Sequence, residues 1–219
     1  MKGQSHAIAG VVTGVALTHS MHLNINPIIV VAAALVGAMI PDIDEEHSKI
    51  NKWLFPVSAK QRNIVKGLAG AILISSPIAV LKYIGIILVM SILSCKVNYK
   101  FSIWSGLHMF SYHRTIFHDP ILGGLLLTVP LYLLSLPKEY IIPYACGLAS
   151  HYLLDMCTSN GLALYLLGGK RIRIPLITYK SGNDFMEYGL LAVYVLGVLS
   201  VSLKSTITVN QFLSNIIKF

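Results

Sequence analysis

Residues 3–41 contain no lysine, arginine, aspartate or glutamate. No soluble domain easily hides an uncharged stretch of that length, and one membrane helix cannot use it, because about 20 residues cross a bilayer. The run is therefore read as two short helices, 5–20 and 27–40, broken at His22-Leu-Asn-Ile-Asn-Pro27. The rest of the chain matches it. Of the 219 residues, 55% are hydrophobic and 12% charged, against about 25% charged in a typical soluble domain. The mean hydropathy is +0.69. This excludes disorder and argues against a soluble globular protein.

Further apolar segments lie at 67–94, 102–112, 120–136, 141–157 and 187–203, with Pro77 and Lys82 interrupting the first of them. The expected fold is all-α: one domain, 1–219, built as a polytopic membrane helical bundle. The N-terminus makes a poor signal peptide, since Lys2 is a thin basic region and Ser5, His6, Gly10 and Thr13 dilute the apolar stretch. Its retention is expected. Cys95, Cys146 and Cys157 are widely spaced and read as small buried hydrophobes.

Basic residues gather at 49–66 and 170–180. They read as positive-inside topology with attraction for anionic lipid heads. They lack interleaved aromatics and any DNA-binding motif, so no nucleic acid partner is expected.

The few acids and histidines cluster at predicted helix ends. His6 opens the first helix after Ser5, a plausible N-cap, and Pro41-Asp42-Ile43-Asp44 follows the second. In an extended segment Asp42 and Asp44 point to one side, where their repulsion calls for a cation or a proton. His113 and His118 flank Arg114 ahead of Asp119-Pro120, which reads as an N-cap followed by an N1 proline. Arg114 suits either a carboxylate partner or a substrate phosphate. His151 and Asp155 share a helix face at i, i+4 in an apolar segment, where ionisable groups are costly and point to function. Imidazole and carboxylate at that spacing suit zinc. Glu187 opens the last long helix, a favourable place for an acid in any case.

Up-down connections bring all these ends to one membrane face. Eleven basic residues fall on that side (Lys2, Lys49, Lys52, Lys60, Arg62, Lys66, Arg114, Lys170, Arg171, Arg173, Lys180) and five on the other. The bias makes the site face cytoplasmic, provided that 67–117 crosses an even number of times.

The ordered set of His6, the PDID run at 41–44, His113-Arg114 with His118, His151 with Asp155, and Glu187 resembles the YdjM-like family of membrane-bound, predicted metal-dependent hydrolases. The resemblance covers roughly residues 1–190. It implies an inner-membrane location and a hydrolase activity. The family is in turn remotely similar to zinc-dependent phospholipase C and P1 nuclease, helical enzymes that cleave phosphoesters with three zinc ions. By that likeness His6, Asp42, His113, His118, His151 and Asp155 look like ligands. Where the pattern leads one to expect a small hydroxyl residue after His118, Asp119-Pro120 stands here.

The combined expectation is a phosphoester hydrolase with a polar metal site at one membrane face. Two or three Zn²⁺, or Mn²⁺, would be held by His6, Asp42, Asp44, His113, His118, His151, Asp155 and Glu187. Asp44 or Glu187 would accept a proton and Arg114 would hold the phosphate. The location favours a small amphiphilic phosphoester and contact with membrane lipid. The alternative is an intramembrane metal or proton transporter, which should carry polar residues at mid-span and on both faces.

Overall fold

A computed structural model describes residues 2–104, 116–164, 167, 170–174 and 183–217, with side chains described outside 94–104 and 205–217. His108, His113, Arg114 and Lys180 lie outside the described residues. Helices α1 (Gly3–Ser20) and α2 (Pro27–Met39) form the predicted hairpin. Asn26 caps α2 by accepting the Ile28 N–H at 2.9 Å, and Pro27 takes the first helical position. Ser5 lies inside the first turn of α1 and is not its cap, because the helix starts at Gly3.

A 3₁₀ turn over Ile40–Asp44 ends α2 and leads into the short α3 (Lys49–Leu54). Helices α4 (Ala59–Ile74) and α5 (Ala79–Trp104) pack as an out-and-back pair around the predicted break at Pro77. Lys82 sits within α5 and breaks nothing. A second 3₁₀ turn, Ile116–His118, precedes α6 (Leu122–Leu133), followed by α7 (Lys138–Met156) and α8 (Asp184–Ile217). One departure from all-α is a small antiparallel ladder of β1 (Leu162–Leu164) and β2 (Lys170–Ile172).

Pro130 inside α6 has no N–H and leaves the carbonyl four residues back without its helical donor. The Tyr83 hydroxyl fills that role, donating to the carbonyls of Leu126 at 3.0 Å and Leu127 at 3.2 Å. One proline thereby ties α5 to α6.

The packing that positions the site is the seam of α1, α2 and α7. The backbones of α2 and α7 touch. A Cβ on Gly37 would lie 2.0 Å from the Tyr144 carbonyl oxygen, and one on Gly147 would lie 2.0 Å from that of Ala34. Only glycine at both positions permits this approach. On the other side Gly10 of α1 faces the Ala38 methyl, which a Cβ would meet at 2.3 Å. The core beside the seam includes Met39, Ile43, Phe117, Leu127, Leu148 and Tyr152.

Helix α8 lies against α1. Among the described residues two stretches, Pro27–Asp44 and Asp184–Lys204, are long and apolar enough to cross a membrane, whereas α6 is a shorter apolar helix.

Candidate metal centre

The start of α1, the end of α2, the turn before α6 and the end of α7 meet at one end of the seam. Each brings its predicted residue. His151 of α7 is fully buried, and its Nδ1 lies 2.7 Å from the Ala38 carbonyl oxygen. Since a carbonyl only accepts, Nδ1 carries the hydrogen and Nε2 carries the lone pair. A neutral imidazole oriented this way is the usual form of a metal-binding histidine. No hydrogen bond reaches that Nε2.

Around it stand carboxylates and imidazoles. His151 Nε2 lies 3.7 Å from Asp155 Oδ2 and 3.9 Å from Asp42 Oδ1. The other Asp155 oxygen is 3.5 Å from His6 Nε2. Asp42 Oδ1 is 3.2 Å from His118 Nε2. The His6 and His151 rings stack with centroids 3.9 Å apart. Two overlapping groups result, His6 with His151 and Asp155, and Asp42 with His118 and His151, each with candidate ligand atoms within 4.8 Å of one another.

A tetrahedral zinc about 2.0–2.1 Å from each ligand separates neighbouring donor atoms by about 3.4 Å. The separations of 3.2 to 3.9 Å bracket that value. The donor set, buried nitrogens without hydrogen-bond partners and the spacing all fit a divalent ion.

Asp42 and Asp44 do not lie in an extended segment. Pro41 and the Glu45 N–H bond to the Asp42 carbonyl close a 3₁₀ turn. With three residues per turn, positions i and i+2 diverge by about 120°. The two acids therefore approach His118 from different sides, Asp42 at Nε2 and Asp44 Oδ2 at 3.9 Å from Nδ1. Burial alone would lower the His118 pKa, but the bond to Asp42 and the charge of Asp44 reverse this and lift it to about 9. Asp119 Oδ1 accepts from Ile121 N–H at 2.7 Å and Leu122 N–H at 2.9 Å, but α6 begins at Leu122 behind Ile121, so Asp119 and Pro120 do not take the N-cap and first helical positions expected of them.

Glu187 is buried as well, but belongs to neither ligand group. Its Oε1 accepts from the Lys2 backbone N–H and the Ser5 hydroxyl, both at 2.6 Å. It thus satisfies the start of α1, one residue from His6. His47, His19 and His22 are exposed.

The sequence reading missed a layer behind the acidic turn. It placed Arg62 and Lys66 among charges flanking the membrane, yet both are buried, Lys66 to 1% exposure. Lys66 Nζ donates to the Ile43 carbonyl, which lies between the two aspartates. Asn51 Nδ2 donates to the same carbonyl at 2.9 Å and to that of Glu45 at 2.6 Å. Arg62 donates to the carbonyls of Glu46 and Phe55. The i, i+4 spacing of Arg62 and Lys66 was the available signal, since it puts both on one face of α4. Another unforeseen support is Tyr152, whose hydroxyl donates to the Phe117 carbonyl at 2.9 Å and holds the turn carrying His118.

The family model described as YdjM inner membrane protein matches residues 1–211. The uncharacterised protein YvsG of Bacillus subtilis (strain 168) is 26% identical over 192 residues, covering 88% of each chain. No solved structure matches the chain.

Proposed function

The chain belongs to the YdjM inner membrane protein family, and from that premise we propose that it is a multi-pass, membrane-bound, metal-dependent hydrolase of amphiphilic phosphoesters. The observation that carries this reading is the buried convergence of His6, Asp42, His118, His151 and Asp155 at ligand spacing. One imidazole nitrogen serves one ion at a time, so a second ion would need further ligands, which Asp44 and His113 would supply. Zinc fits the nitrogen and oxygen donor set best, with manganese as the substitute. Such an ion, when bound, would stabilise charge on phosphoryl oxygens and acidify a water.

The protein's own residues would do the rest. The hydrogen bond to Ala38 holds His151 in one tautomer. Asp44, beside His118 on the side away from Asp42, would take the proton from the attacking water. Arg114 would hold the phosphate through its planar fork. Glu187 would keep the first turn of α1, and with it His6, in register. The site face would be cytoplasmic, from the distribution of basic residues. The clustering of the ligands at one end of α2 and α7 supports a reaction site over an ion path.

The test is elemental analysis of detergent-purified protein, wild type against His151→Ala and Asp155→Ala. The wild type should carry at least one transition metal per chain, and both variants should lose it. Phosphodiester and phospholipid turnover should stop with a chelator and return with zinc. Less than one metal per wild-type chain would overturn the metal centre. Metal uptake into sealed vesicles without any ester turnover would instead favour transport.

A further inference from the structure

A cavity of about 810 Å³ lies on the face of α2 away from α1. It begins beside Ile28 and Tyr140, passes Ala33, Leu131 and Tyr144, and ends against Ile43, Ile50 and Phe55. Its volume falls in the range of small-molecule sites, about 300–1,000 Å³. Such sites carry a few polar groups to fix a ligand's orientation, yet every lining residue here is apolar or aromatic. It offers almost nothing to a head group along its length and suits a hydrocarbon chain.

Three features specify the occupant. From Ile28 to Ile43 the cavity follows fifteen residues, or about 22 Å at 1.5 Å per residue. One leaflet contributes about 15 Å of hydrocarbon, half of the bilayer core, so a full-length chain fits along it. The cavity also ends on the acidic turn itself: Ile43 forms its wall, while Asp42 and Asp44 on either side face His118. A chain lying in the cavity with its head toward Ile43 would bring that head to the metal end. Near that end stand Lys49 and Lys52 on α3 and Lys60 at the start of α4, three cations against Glu45 and Glu46. Trp53, 62% exposed, forms part of the cavity lining there, as expected of an aromatic at a membrane–water interface.

We propose that this groove binds the single hydrocarbon chain of a membrane lipid with an anionic phosphate head and delivers that head to the His/Asp cluster. The placement of the head rests on the metal-site reading; the seat of the tail does not. The class of substrate is then a lipid phosphoester, and no water-soluble ester should compete with it well.

The test uses the full chain in mixed micelles with lysophosphatidic acid bearing a photoreactive diazirine at the tail end. Crosslinks are mapped by peptide mass spectrometry, and zinc content is measured in parallel. Labelling should concentrate on the groove segments of α2, α6 and α7, at least fivefold over the exposed face of α8 that carries Val193, Leu196 and Leu203. Ala33→Phe and Ala32→Phe narrow the groove and should each cut that labelling several-fold with zinc content unchanged. Labelling spread equally over α2 and α8 in the wild type would overturn the proposal, whatever the variants do. So would groove labelling that neither variant reduces. Absent zinc with groove labelling intact would fail the metal centre alone and leave the tail site standing.

Discussion

Two polar regions run through this apolar chain, and they are built on opposite terms. Along the α1–α8 seam, polar groups are matched in pairs. Ser5 donates to Glu187, Thr13 bonds the Tyr194 hydroxyl at 2.8 Å, and Ser20 bonds Ser202 at 2.8 Å while Ser202 also reaches the Ala16 carbonyl. These contacts recur about every two turns and join the helices as interhelical hydrogen bonds do in membranes. In the cluster where α1, α2, α7 and the turn before α6 meet, one buried ring nitrogen of each histidine, Nδ1 of His6 and His118 and Nε2 of His151, finds no hydrogen-bond partner. Both regions bury polar groups, so burial alone does not mark a site. What separates them is the degree of satisfaction: the seam hydroxyls all pair, leaving over the second oxygen of Glu187, whereas in the cluster each of three histidines keeps an unpaired ring nitrogen.

The sharpest way to break this contrast is to replace a residue in each region by an apolar one. His6→Leu should weaken zinc binding by more than the roughly 10–100-fold typical of a supporting residue, while leaving the metal-free thermal midpoint unchanged or higher. Competition titration with a zinc chelator and thermal unfolding in detergent measure the two effects. A lower midpoint with zinc affinity unaltered would put His6 among the structural contacts.

Lys66→Met probes the layer between the two cases. It removes one of the two donors to the Ile43 carbonyl, leaving Asn51, and zinc affinity should fall about 10-fold, the low end of the roughly 10–100-fold range, as the acidic turn loosens. Equal affinity in a destabilised protein would make Lys66 purely structural.

A smaller effect concerns protons. Metal-free His118 titrates near pH 9 and so is protonated at pH 7. An ion can bind only its neutral form, so binding at pH 7 should release about one proton from this residue. The release should fade as pH rises through 9. Calorimetry in buffers of different ionisation enthalpy reads the count, and no release at pH 7 would remove His118 from the ligand set.

The smallest effect belongs to the seam. Ser202→Ala removes the bonds to Ser20 and to the Ala16 carbonyl and should cost about 1.2 kcal/mol, at about 0.6 kcal/mol for each interhelical hydrogen bond, without any change in metal content.

The α1–α2 hairpin and the meeting of helix ends at the cluster were legible in the sequence because breaks and periodicity are local, but α5 was not, since it runs on through 95–101 where a gap between two apolar segments was expected. Asn26-Pro27 and Pro77 mark the boundaries, and the i, i+4 spacing of His151 and Asp155 survives as a shared helix face. The acidic turn was not legible as a 3₁₀ turn, because alternation along an extended chain brings two aspartates as close together. Nor was the inward turn of Arg62 and Lys66, since their partners are backbone carbonyls, which leave no trace in residue identities. Glu187 was read from its position at a helix start, and that position serves the neighbouring helix through Lys2 and Ser5.

The glycine contact between α2 and α7 has a consequence for how firmly His151 is held. Ala38, one residue past Gly37, carries the carbonyl that fixes His151, four residues past Gly147. Because backbone rests on backbone there, the aperture between the two helices has no soft side chain to yield. It acts as a gauge block that fixes the Ala38 carbonyl against the His151 ring. The orientation of a buried imidazole is thus written in two residues that have no side chain.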